Sequence, residues 1–187
     1  MEHPLEAKYG LTAHELLDAL GDRFRALVAL EGAVAEVHME KKIQALVGTL
    51  IERYEVYDID GHPDFGIWLP RSDNRLLAEC KNIRDAEEAY RSKGEIVAYK
   101  VETQKTRAAT ADRTTRYYDV AQFDILGVCL GKKTGNWTDF VFAKATDLRR
   151  HADVEGKLAV MQRVPLPDAD DLTPWHADLG ELLKTLT

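Results

Sequence analysis

At about residue 50 the hydrophobic period of this chain changes, and that change dictates much of what it can fold into. Up to there Leu27, Leu30, Val34 and Val37, then Ile43, Leu46, Val47 and Leu50, recur every three or four positions. That is the spacing of one face of a helix running from about Asp22 to Leu50. Beyond it Tyr54 to Ile59 is rich in β-branched and aromatic residues and predicts a strand, followed by a turn at Gly61-His62-Pro63. Asp64 to Leu69 predicts a second strand, Arg71-Ser72-Asp73-Asn74 another turn, and Arg75 to Lys81 a third strand. The expected product is a helix followed by an antiparallel three-stranded meander.

Thr12-Ala13-His14-Glu15 has the form of a capping box, in which a threonine and a glutamate satisfy the first free amides of a helix. Ser92-Lys93-Gly94-Glu95 has the same form, and Tyr90, Val97, Val101, Gln104 and Ala108 fit a helical face. A helix is therefore expected over about 93–108, although Val97, Tyr99 and Val101 also alternate as a strand would. Strands are expected at Asp124 to Leu130, Trp137 to Ala143 and Lys157 to Val164. A short helix from about Pro174 follows the punctuation of Pro165 and Pro167. This order describes an α/β protein with a mixed sheet flanked by helices. It is expected to form one domain over 1–187, its core at about 22–130 and further strands and a helix added over 131–187.

No apolar run approaches the roughly 20 residues that span a bilayer. Met1-Glu2-His3-Pro4 lacks the basic and apolar regions of a signal peptide. The two cysteines, Cys80 and Cys129, lie in apolar runs and not at metal-ligand spacing, which predicts reduced, buried thiols in a cytoplasmic protein. The formal net charge is −7, but a phosphate responds to the local field and not to the total. From Lys100 to Arg116 five basic residues (Lys100, Lys105, Arg107, Arg113, Arg116) stand against two acids, Glu102 and Asp112. The acidic excess lies at the N-terminus and between Asp168 and Glu181.

Along the third strand, Leu77-Ala78-Glu79-Cys80-Lys81, side chains alternate, so Glu79 and Lys81 share a face roughly 7 Å apart while Cys80 turns to the core with Leu76 and Ala78. An acid and a lysine at the end of an apolar strand are not what a core selects. Asp64 shares their face if the hairpin sets it opposite one of them. Four loop residues, Arg71 to Asn74, would set it opposite Lys81. Magnesium needs only one or two well-placed carboxylates beside its waters. A carboxylate pair with a lysine is therefore a set of groups suited to metal-assisted phosphodiester hydrolysis.

Pro63-Asp64, fourteen intervening residues, then Glu79-Cys80-Lys81 resembles the motif of the PD-(D/E)XK nuclease superfamily, the restriction-endonuclease-like fold. The resemblance covers roughly residues 25 to 130, where the expected order of elements agrees with the αβββαβ core of that family. It implies Asp64 and Glu79 as ligands of Mg²⁺, for which Mn²⁺ would substitute, with Lys81 orienting or helping to deprotonate the attacking water. It also implies cleavage leaving a 5′-phosphate and a 3′-hydroxyl. Some families of this fold carry an active-site glutamate on the first helix in a Gly-x-x-x-Glu pattern, which Gly32-Ala33-Val34-Ala35-Glu36 resembles. The small residues there would let the helix approach the sheet closely. Glu36 has Glu40 at i+4 and no basic residue at i±3 or i±4, an arrangement that a nearby cation would relieve. Glu31 and Glu40 compete for the same role.

Related nucleases often place a glutamine or a basic residue on the following helix, which makes Gln104, Lys105, Lys100 and Arg107 candidate DNA contacts, with Arg113 and Arg116 beyond. Tyr117 and Tyr118 read as packing more readily than as base-stacking groups. His62 reads as a turn residue with proton shuttling as the alternative. Trp137, Trp175 and His176 form no constellation. The resulting expectation is a Mg²⁺-dependent DNA endonuclease of the restriction or defence type. The alternatives are a structure-specific nuclease acting on junctions or in repair, and a catalytically silent DNA-binding module. Cutting two strands requires two sites, so a homodimer acting on DNA is expected, with no membrane and no organic cofactor.

Overall fold

The first two helices of the chain are defined by their caps. In a computed structural model that describes residues 3–85, 87–105 and 113–186, with only the backbone described at Arg113, the chain divides into two compact units, Met1–Val34 and Ala35–Thr187. In the first unit α1 (Pro4–Tyr9) starts at His3, whose ring accepts from the Leu5 amide, and ends at Gly10 in the left-handed conformation. The second helix, α2 (Ala13–Gly21), starts at the expected capping box: the Thr12 hydroxyl accepts from the Glu15 amide, and Glu15 accepts in return from the Thr12 amide. Neither helix has a buried residue.

The next helix, α3 (Phe24–Ala45), passes from the first unit into the second, where Ala35, Met39 and Ile43 are buried at four-residue intervals. The expected meander follows, as β1 (Arg53–Val56), β2 (Phe65–Trp68) and β3 (Arg75–Asn82), all antiparallel. The sheet continues through β6 (Ile125–Cys129), parallel to β3, and β7 (Phe140–Lys144), antiparallel to β6, giving the order β1-β2-β3-β6-β7. This is a mixed sheet in an α/β protein. One face carries Phe65, Ile67, Ala78, Cys80, Ile125 and Phe142 in a core with Met39, Ile43 and leucines that include Leu179, Leu182 and Leu183 of α5 (Leu179–Lys184). A four-residue helix, α4 (Gly131–Thr134), lies between β6 and β7.

Over its described residues, 93–105, the helix expected over 93–108 is not formed; positions 106–108 lie outside the described residues. Its sequence is instead β4 (Ala89–Ser92) and β5 (Glu95–Glu102), an antiparallel hairpin whose turn is Lys93-Gly94, with φ of 50° and 90°. Two consecutive positive φ angles are those of the hairpin turn that glycine favours and a helix N-terminus does not allow. The alternation of Val97, Tyr99 and Val101 was the governing signal. With β8 (Met161–Val164) this hairpin makes a second sheet, β4-β5-β8. The second core cluster joins Val101 and Val164 of that sheet to Leu126, Val128, Val141 and Ala143 of the first. The place of the second helix in an αβββαβ order is thus taken by strands and a 3₁₀ turn at Arg113–Arg116.

The expected close approach at Gly32 is also corrected. A β-carbon at Gly32 would meet nothing within 4 Å among the described residues, whereas one at Gly127 in β6 would lie 2.7 Å from Met39 Sδ. The space that brings α3 against the sheet is left by Gly127 on the strand together with the small, buried Ala35 on the helix.

Candidate active site

Asp64 immediately precedes β2, and the β2–β3 ladder pairs Phe65 with Ala78 and Trp68 with Arg75. Continued by one residue, it sets Asp64 opposite Glu79. The expectation of Lys81 is off by two residues, because the hairpin loop spans Leu69 to Asn74 and not Arg71 to Asn74 alone. Leu69 is buried and precedes a proline, which has no amide for the ladder. A two-residue shift preserves the face, so Asp64, Glu79 and Lys81 still project together. Glu79 and Lys81 pair in register with Leu126 and Val128, and so stand on the sheet face of the second core cluster. Cys80 turns to the other core.

These groups line one cleft of about 340 Å³ with Glu36, Asp58, Asp60, His62, Lys105 and Tyr118. Glu79 is only 4% exposed, and its Oε1 accepts from both the Lys81 ammonium and the Tyr118 hydroxyl, the latter at 2.5 Å. Asp64 Oδ2 accepts from the Cys80 amide at 2.7 Å, which ties the acid to the neighbouring strand. His62 Nδ1 lies 2.7 Å from its neighbour's carbonyl at Pro63, and its ring meets Tyr57 edge-on, centroids 4.4 Å apart.

The electrostatics of the cleft are those of crowded acids. Burial, with Glu79 as the second cause, pushes the Asp64 carboxyl from 3.8 up to about 7. The Glu36 carboxyl is raised, by burial first and then by Glu79 and Asp58, while Lys81 works the other way. For Lys81 burial alone would favour the neutral amine, but Glu79, Tyr118 and Asp64 together hold it charged, well above the usual lysine range. Burial raises the Tyr118 phenol, so it stays a donor to Glu79.

Of the helix glutamates in the second unit, Glu36 lines the cleft, whereas Glu40 accepts from Tyr54 at 3.0 Å and does not line it; Glu31 belongs to the first unit. Among the expected DNA contacts whose side chains are described, Lys105 alone lines the cleft. Lys100 lies on β5 paired with Arg163, its ammonium over the Tyr90 ring. Gln104 donates to Glu102, and the Arg116 side chain donates to the Lys105 carbonyl at 3.0 Å. The helix-based placement of Lys100 and Gln104 falls with the helix. Arg107 and the Arg113 side chain lie outside the described residues. Tyr118, expected as packing, is a functional group of the cleft. It is 39 residues from Glu79, and no local spacing links the two.

Among the described residues no three His, Cys, Asp or Glu side chains are gathered closely enough to hold a metal ion by themselves. A hard dication that keeps most of its waters asks for less than that. Asp64 and Glu79, opposed on adjacent strands, are an oxygen pair in which burial and the neighbouring acid raise the Asp64 carboxyl, a tendency that a cation would relieve. The donor chemistry therefore fits such an ion, with Glu36 next in line. Among the described residues no helix is long and apolar enough to cross a membrane. Comparison of the chain with protein-family models, curated proteins and solved structures found no match.

Proposed function

We propose that this protein is a Mg²⁺-dependent DNA endonuclease that hydrolyses a phosphodiester at the cleft of Asp64, Glu79 and Lys81. The observation that carries the reading is the Asp64–Glu79 opposition with Lys81 held beside it. The pair is two carboxylates forced together, one of which keeps its proton to about pH 7 unless a cation takes the proton's place. A structural ion pair has no use for the second acid.

Asp64 and Glu79 would hold the ion, with Glu36 reaching it directly or through water. The bound ion supplies Lewis acidity toward the phosphate and a hydroxide at neutral pH. Tyr118 and Lys81 fix one oxygen of Glu79, leaving its carboxylate plane defined before any ligand arrives. Lys81, held charged by Glu79, Tyr118 and Asp64, orients the attacking water and offsets charge developing on the phosphate. The motif's resemblance adds a 5′-phosphate and a 3′-hydroxyl as products. A chain long enough for a small restriction enzyme, with additions after Leu130, favours a defence-type role over a junction-specific one. The test is conversion of supercoiled plasmid and of a four-way junction in Mg²⁺, beside EDTA and Lys81→Ala controls. Cutting that persists in either control would overturn the reading. The preferred substrate separates a restriction-type enzyme from a junction-specific one.

A further inference from the structure

Four residues along the strands from the catalytic row, about 13 Å at 3.3 Å per residue, the same sheet face carries a second row: Arg53 of β1, Trp68 of β2 and Arg75 of β3, paired directly across the sheet. Between the rows lies Gly66, where a β-carbon would stand 2.6 Å from the Tyr57 hydroxyl and 3.1 Å from Arg75 Cδ. The missing side chain lets the Tyr57 ring, itself part of the cleft wall, lie over the strand and meet Arg75, whose guanidinium donates to the phenol at 3.2 Å. The Arg53 guanidinium stacks on the Trp68 ring at 3.5 Å. Beyond them Arg71, in the hairpin loop, lines a depression of about 350 Å³ with Trp68, Arg53, Ser72 and two acids, Glu52 and Asp73.

Arg53 has a carboxylate partner in Glu55, at 3.0 Å. For Arg71 and Arg75 no ion pair is formed among the described residues, and both are exposed, as are Arg53 and Glu55. Of these two arginines, one is held on a tyrosine that itself donates to Glu55, and the other lies beside an arginine-capped tryptophan. They present guanidinium groups without an ion pair among the described residues, on an aromatic surface that also carries Glu52 and Asp73 and is continuous with the cleft wall through Tyr57.

From this we infer that the Arg71–Arg75–Trp68–Arg53 surface is the track along which the nucleic-acid strand leaves the cleft, its phosphates bound by Arg75 and Arg71 and its sugar-base edge lying on the Arg53-capped Trp68. The inference rests on the nuclease reading for its direction, and it assigns binding to residues outside the basic run between Lys100 and Arg116. Guanidinium groups provide planar, two-pronged donors for phosphate, and the offset of about 13 Å corresponds to about four base-pair steps of duplex at 3.4 Å each.

The experiment measures binding of a fluorescent 20-base-pair DNA duplex in Ca²⁺ over a salt series, for the wild type, Arg75→Gln, Arg71→Gln and the double variant. Removing one phosphate-binding guanidinium is expected to lower the slope of log K against log salt by about 0.9 and the affinity several-fold. Melting curves of the variants, whose changed side chains are exposed, establish that they are folded. Unchanged slope and affinity in the double variant, or no salt-dependent binding by the wild type, would overturn the track. Because binding is read without cutting, the two readings fail separately. Cutting with an unaltered salt slope in the variants removes only the track, and a normal track without cutting in Mg²⁺ removes only the nuclease.

Discussion

Tyr118 donates its hydroxyl to Glu79 Oε1 at 2.5 Å, across 39 residues of sequence, and its ring lies beneath the Lys81 ammonium at 5.6 Å. The tyrosine thus belongs to the cleft and not merely to the core beneath it. Replacing it with phenylalanine keeps the ring and the Lys81 partner of Glu79 while removing one bond. We expect Tyr118→Phe to lose about 1–2 kcal/mol of stability, and to need several-fold more Mg²⁺ for half-maximal cutting. Rates over a Mg²⁺ titration measure this, and an unchanged Mg²⁺ requirement would reduce Tyr118 to packing.

Lys81 compensates the negative charge of a carboxylate with 4% exposure. Lys81→Met retains the aliphatic stem and strands that charge. The expected cost in metal-free buffer is about 3–5 kcal/mol, typical of breaking a buried pair from one side. Part of it should return on adding Mg²⁺, because a cation beside Glu79 does what the ammonium did. Urea unfolding with and without Mg²⁺ reads both effects. A destabilisation that Mg²⁺ does not reduce would mean that no ion reaches Glu79.

The Asp64 carboxyl makes the metal-free protein sensitive to pH in a direction opposite to that of a salt-bridged acid. It titrates at about 7 folded against 3.8 in its ordinary state, so between those values the folded form binds more protons. Stability is then full below about pH 4 and falls as pH rises toward 7, by a total of about 2–4 kcal/mol after solvent screening. In EDTA the melting temperature should fall from pH 5 to pH 8. Asp64→Asn should flatten that fall and exceed the wild type in stability at pH 8, while abolishing cutting. An Asn variant less stable than the wild type at pH 8 would contradict the cause given for the shift.

Gly94, at φ 90° in the β4–β5 turn, decides by the sign of one substitution between the hairpin and a helix at 93–108. Alanine in a helix would stabilise by up to about 1 kcal/mol. In this turn it meets the left-handed penalty, and Gly94→Ala should destabilise by about 1–2 kcal/mol. Chemical denaturation of the pair is sufficient.

What could be read from the sequence was whatever is fixed by parity. Asp64, Glu79 and Lys81 share a face because side chains alternate along a strand, and that held even though the register slipped by two at Leu69 and Pro70. The meander and the buried Ile125–Cys129 strand were legible from composition and punctuation alone. Segment 92–102 was not, because Ser-x-x-Glu serves equally as a helix cap and as the arms of a tight turn. The alternation of Val97, Tyr99 and Val101 competes with that ambiguous signal, and the pairing of Val101 with β8 decides for the strand. Glu36 was legible as one of three glutamates, and its neighbour Ala35, buried where α3 meets the sheet, is what turns that position toward the cleft. Tyr118 and the Arg75–Tyr57 contact depend on chain segments far apart in sequence, and Gly127 shows its purpose only once Met39 is seen above it.

Both cysteines of the chain are buried, and burial raises both thiols above their usual range, which keeps them out of the reactive thiolate form. The protein therefore has a silent background for thiol chemistry. A cysteine introduced on the exposed hairpin would be the only group to take a fluorophore or a spin label. The cleft and the surface beside it can thus be watched by spectroscopy in an otherwise native chain, with no cysteine-free variant built first.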